Sequence, residues 1–80
     1  MKLTIEHLES LVVREQYYVF PDTTMTVCCL TLKSGFAVTG ESACINPDDF
    51  DEAIGREIAR AGAIDKLWSL EGYLRKQSSL

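Results

Sequence analysis

Three cysteines, one histidine and a cluster of carboxylates are the side chains in this 80-residue sequence best suited to chemistry. Cys28, Cys29 and Cys44 with His7 suggest a thiol nucleophile or a zinc site. Glu41 with Asp48, Asp49, Asp51 or Glu52 suggests a carboxylate pair for acid–base work. Spacing weighs against each reading. Cys28 and Cys29 are adjacent in a β-prone run, so their side chains point to opposite faces and cannot jointly chelate a metal. The sequence has no CxxC, and His7 is the only imidazole available to any thiol or hydroxyl. At the third position of a predicted helix, His7 reads as a surface residue. The acids after Asn46 have the spacing of a helix start, not of a converging pocket. No GxGxxG or Walker-type loop is present, and Gly40 in "TGES" reads as a bulge or close-packing position. The expectation is therefore no catalytic residue, no metal and no cofactor. The protein reads as a non-enzyme whose thiols act as buried, inert, small hydrophobes.

These residues must be positioned by few elements. "TIEHLESLVVREQ" places Ile5, Leu8, Leu11 and Val12 on one helical face, with Thr4 as N-cap and Glu6 in the first turn. Pro21-Asp22 is turn chemistry that ends "YYVF", a short strand or an extended lead-in. "TMTVCCLTL" and "FAVTGESACI" are β-prone runs joined by "KSG". A two-residue Ser34-Gly35 loop would spread apolar groups over both faces. A three-residue Lys33-Ser34-Gly35 loop pairs Leu32 with Phe36, Leu30 with Val38 and Cys28 with Gly40, and is preferred. It gathers Leu30, Leu32, Phe36 and Val38 on one face and leaves Cys29, Thr31, Thr39 and Glu41 on the other. It also sets Gly35 where a bulged turn needs a left-handed residue. In that register Cys44 lies opposite Thr24, roughly 13 Å along the strand from Cys28 and beyond disulfide reach.

From Asn46 onward the pattern is helical. Asn46 is the expected cap, Pro47 takes the first position, and Asp48, Asp49 and Asp51 crowd the positive end of the dipole. Phe50, Ile54, Ile58, Ala61, Ile64 and Trp68 recur three or four apart as the expected core stripe. Gly62 weakens this helix by about 1 kcal/mol without clearly breaking it. Whether one helix or two run past Ser69 stays open. Arg75 and Lys76 suit a C-terminal turn, and "SSL" should fray. The fold expected is a small α+β domain spanning residues 1–80. Its order is α-β-β-α, with an antiparallel hairpin, and room for a third strand, packed against helices.

Eighty residues allow one core, and a chain this short buries only about 60 to 65% of its unfolded surface. The 46% apolar content argues against disorder and leaves a surplus suited to a partner or a second copy. Trp68, Tyr73 and Leu74 read as core, as a homo-oligomer seam or as a partner patch. Eight scattered basic residues against twelve acidic ones give a net charge of −4, which disfavours direct nucleic-acid binding. An acidic surface suits a basic protein instead. "MKLTIEHLES" lacks the apolar core of a signal peptide, and no run is long enough to span a membrane. The chain reads as cytosolic with reduced cysteines.

"TVCCLTLKSGF", "VTGESAC" and "FDEAIGREIARAGAIDKLWSLEGYL", spanning roughly residues 24 to 75, resemble a family of small phage and prophage proteins. That family is typified by gene product 49 of phage N4 and gene 66 of phage Sf6. Residues 1 to 23 resemble it only loosely. Family members tend to carry Pro at the position of Ser69, which makes a helix break there less certain in this chain. The resemblance implies a phage source and supplies no catalytic residues. A small, acidic phage protein of this kind is expected to work by stoichiometric binding to a host protein or ribonucleoprotein complex in the host cytosol. The leading expectation is an inhibitor of host defence, such as an anti-CRISPR protein that occludes a basic nucleic-acid-binding surface through Glu41, Asp48, Asp49, Asp51 and Glu52. The alternatives are an oligomeric sponge for a nucleotide signal, using Thr31, Thr39, Ser42 and Tyr73, and a regulatory or structural phage protein.

Overall fold

A computed structural model describes residues 3–78. The elements are α1 (Ile5–Leu11), β1 (Val12–Val19), β2 (Thr26–Leu32), β3 (Ala37–Ser42), a 3-10 turn (Pro47–Asp49) and α2 (Glu52–Ser78). The fold is α+β: a short helix, an antiparallel sheet in the order β1-β2-β3, and a long helix lying across one face.

The first helix is shorter than its apolar pattern suggests. Thr4 caps it, accepting from the His7 backbone N–H, but it ends at Leu11. Val12 opens a strand, not a further turn, because β-branched Val12 and Val13 and the run Tyr17-Tyr18-Val19 favour extended backbone. The Lys33 backbone N–H donates to the Leu11 carbonyl at 2.9 Å and ties the helix end to the hairpin turn. An irregularity between Val12 and Arg14 accommodates the change of direction. Leu8 is fully buried, whereas Ile5 is exposed.

The hairpin has the three-residue loop. Leu30 pairs with Val38 and Cys28 with Gly40, and the Leu32 N–H donates to the Phe36 carbonyl at 2.8 Å. Gly35 takes φ +92°, the left-handed conformation that glycine adopts without a Cβ penalty. Leu30, Leu32 and Val38 point into the core, while Phe36, on the same face at the turn, is 59% exposed. Beyond the ladder, Thr24 Oγ1 donates to the Cys44 carbonyl and accepts from the Cys44 N–H, which places those residues opposite each other.

The third segment departs most from expectation. Asn46 accepts from the Asp48 N–H but caps only the 3-10 turn, after which Phe50 is extended. Asp51 starts α2 instead, its Oδ1 accepting from the Ala53 and Ile54 N–H groups at 3.0 and 3.3 Å. From there the helix runs unbroken for 27 residues through Gly62, Ser69 and Gly72. Ser78 is helical, and the rest of "SSL" lies outside the described residues.

The expected core stripe is not the core. Of its members Ile64 is buried and Phe50 half-buried, while Ile54, Ile58, Ala61 and Trp68 are exposed. The residues of α2 that are buried are Gly55, Ala59, Ala63, Ile64 and Leu67. The reason is backbone proximity. A Cβ at Gly40 of β3 would collide with the Ala59 carbonyl oxygen and the Ala63 backbone nitrogen, and Gly62 faces the Gly40 Cα. Only small side chains fit where helix and strand approach that closely. Leu8, Cys28, Leu30, Leu32, Val38 and Leu67 fill the rest of the core.

Candidate functional site

Of the sequence-predicted acids, Asp48, Asp49, Asp51 and Glu52 are all exposed between the 3-10 turn and the first turn of α2, and Glu41 stands apart from them. Asp48 and Asp49 stand exposed on the 3-10 turn. Asp51 is engaged as the cap of α2, and Glu52 pairs with Arg56 one turn along at 3.1 Å. Glu41 sits on edge strand β3, its carboxylate 4.0 Å from Lys66 Nζ. Its backbone lies beside Gly62, ten residues and roughly 15 Å up the helix from Glu52. Among the described residues, Asp48 and Asp49 are the acids of this set whose side chains neither cap a helix nor pair with a base.

Close to them in the chain stand exposed apolar groups: Ile45, which the sequence reading did not single out, and Ile54 and Ile58, which it expected in the core. Ile45 is fully exposed, and Ile54 and Ile58 are exposed on the first turns of α2. A cavity of about 90 Å³ opens here, lined by Thr24, Ser42, Cys44, Phe50, Gly55 and Ile58 among others. It is smaller than the several hundred Å³ usual for a small-molecule site. A fully solvated isoleucine next to two unburied carboxylates was legible only in outline, as "CINPDD" between two regular elements.

Trp68, Tyr73 and Leu74 are likewise divided. At about 100° per residue, Trp68 points away from the sheet while Tyr73 and Leu74 continue the sheet-facing side past its end. There, with Leu32, Phe36, Leu67 and Leu70, they line an apolar groove of about 260 Å³. The residues named for a nucleotide sponge are not gathered within one chain. Thr31 and Thr39 lie on the sheet face opposite α2, Ser42 donates to the Gly55 carbonyl beneath the helix at 2.7 Å, and Tyr73 is on the overhang.

The strongest polar constellation is one the sequence reading did not identify. Arg60 of α2 reaches both preceding elements, donating through Nη1 and Nη2 to the Glu9 carboxylate of α1 and through Nε to Glu15 of β1 at 2.8 Å. The Tyr17 hydroxyl completes it, donating to Glu15 at 2.6 Å. Hydrogen bonding to Arg60 holds both carboxyls below the usual carboxylate range, and the two carboxylates raise the guanidinium in turn. Burial pushes the Tyr17 phenol and the Cys28 thiol upward, so Cys28 stays a neutral thiol. This cluster clasps α1 and β1 onto α2. Nothing in its separations of 45 and 51 residues announces it.

Cys28 is buried, whereas Cys29 and Cys44 are half-buried and so less enclosed than expected. All three are free thiols, and the Cys44 Sγ contacts the Asn46 carbonyl at 3.3 Å. His7 is half-buried. Among the described residues, no three His, Cys, Asp or Glu side chains are placed to hold a metal ion, and no helix is long and apolar enough to cross a membrane. The surface carries exposed Asp48 and Asp49, exposed Ile45 and exposed apolar residues on two sides of α2.

Comparison with curated proteins and with solved structures finds no match. A family model described as phage protein (N4 Gp49/phage Sf6 gene 66) matches residues 3–79. Nearly the whole length is covered, including the first residues whose likeness was loose, and the chain belongs to this family of phage proteins.

Proposed function

We propose that this phage-family protein is non-enzymatic and acts by stoichiometric binding to a host protein or ribonucleoprotein complex in the host cytosol. In this reading it inhibits a host defence complex in the manner of an anti-CRISPR protein, covering a basic nucleic-acid-binding surface. One observation carries the proposal: fully exposed Ile45 lies three and four residues before exposed Asp48 and Asp49. An apolar anchor followed in the chain by carboxylates suits a basic groove, because the charges steer encounter and compete with phosphate while the side chain is desolvated on contact. The net charge of −4 acts in the same direction.

The test is an affinity capture from host lysate with the wild type and an Asp48→Lys/Asp49→Lys variant. Asp51 is left intact because it caps α2. The expected result is one nucleic-acid-handling complex held by the wild type, lost with the variant and unable to bind its nucleic acid when saturated. Capture that persists after charge reversal, or a captured complex that still binds nucleic acid, overturns the reading.

A further inference from the structure

We propose that the outward stripe of α2 is the seam of a symmetric, antiparallel pairing with a second copy of this chain. Ile54, Ile58, Ala61, Asp65, Trp68 and Gly72 follow one another at spacings of four, three, four, three and four, the interval of a helix seam that meets another helix. The stripe lies outside the sheet-facing side of α2, with Ile54 and Ile58 at its start flanking the cavity beside Ser42 and Cys44. Its larger members keep much of their surface in solvent: Ile54 is 54% exposed, Ile58 55% and Trp68 36%. Exposed Ile5 of α1 widens it, since it shares a groove with Ala61 and Ile64.

Charge identifies the occupant. The approach to α2 is acidic, with Asp48 and Asp49 on the 3-10 turn, and the last turn of α2 is basic, with Arg75 and Lys76. A surface acidic at one end, apolar along its length except for Asp65, and basic at the other is complementary to itself when reversed, which a two-fold interface requires. Antiparallel alignment also sets opposite ends of the two helix dipoles together. One register satisfies the whole stripe. Ile58 packs on the partner's Trp68, Ile54 on the partner's Gly72 and Ala61 beside the partner's Asp65. The turn at Asp51 then lies alongside the partner's Arg75. Ala61 and Gly72 allow the axes within the usual 8 to 10 Å of packed helices, roughly. The 27-residue helix is about 40 Å long, so a strip about 10 Å wide on both copies approaches ~800 Å². Ile5 and the charged ends carry this toward the roughly 1,000 Å² that a specific interface needs.

The experiment uses the purified full chain under reducing conditions, with no host component present, so its outcome is separate from that of the capture above. Sedimentation velocity over a concentration series should show a wild-type dimer. Ile58→Glu, at an exposed position that leaves the monomer folded by circular dichroism, should run as a monomer. Asp48→Lys/Asp49→Lys and Arg75→Glu/Lys76→Glu should each weaken self-association about tenfold or more at low salt. Mixed one to one, they should restore the dimer, because each reversed end then meets its complement. A wild type that stays monomeric at every concentration overturns the proposal. So does an Ile58→Glu chain that still dimerises, or a mixture of charge variants that remains monomeric.

Discussion

The two faces of α2 differ in a way that inverts the usual reading of an amphipathic helix. The face against the sheet carries Gly55, Ala59, Gly62 and Ala63, and only toward its end does it present Leu67. The face toward solvent carries Ile54, Ile58 and Trp68. Over the first three turns of α2 large apolar residues are outside and small ones inside, and buried Ile64 and Leu67 come only after them. The cause is the distance of approach: with Gly40 directly beneath the helix, backbone meets backbone, and cohesion there comes from close contact more than from side-chain volume. Burial is therefore set by what a neighbour leaves room for, and hydrophobicity alone does not rank the faces.

This contrast is open to breaking. The largest effect is expected at Gly40→Val, whose side chain would meet the Ala59 carbonyl and the Ala63 nitrogen and drive the helix off the strand. A loss of about 4 kcal/mol or more is expected in urea unfolding, comparable with the whole stability of so small a domain. Next comes a paired comparison. Leu67→Ala on the sheet face should cost about 2 to 5 kcal/mol, since Leu67 is almost completely buried. Ile58→Ala on the outer face, measured where the chain is monomeric, should stay within about 0.5 kcal/mol. Equal costs would mean that the outer face is packed within the monomer after all.

A smaller effect is expected at Gly35→Ala. No atom lies near the missing Cβ, so only the left-handed backbone is penalised, by about 1 kcal/mol.

The smallest concerns the clasp between the faces. Glu9 and Glu15 have folded-state pKa values held down chiefly by hydrogen bonds from Arg60. Their contribution is present above the unfolded carboxylate pKa, near about 4.3, and is lost as pH falls through the lower folded values. Arg60→Ala should lower stability at neutral pH by about 1 kcal/mol, because these side chains are partly exposed and solvent-screened. It should also flatten the fall in stability on acidification. An unchanged acid profile would show that the clasp contributes nothing.

The features legible in the sequence are local ones. The Thr4 cap, the Asp22 turn, the three-residue hairpin loop and its register all follow from nearest-neighbour backbone preferences and side-chain alternation, which a string of residue types records directly. The family likeness was legible for the same reason, being carried by continuous runs. The misread boundaries were close contests: Val12 satisfied both a helical stripe and a strand, and Asn46 and Asp51 are both good caps five residues apart.

What the tertiary structure alone decided was which apolar residues face inward, which carboxylates stay free of local work, and that Arg60 joins Glu9 to Glu15 across 51 and 45 residues. Periodicity shows that a helix has apolar stripes, but choosing between two of them depends on the shape of the surface beneath. That shape was set by one glycine on a strand nineteen residues upstream of Ala59.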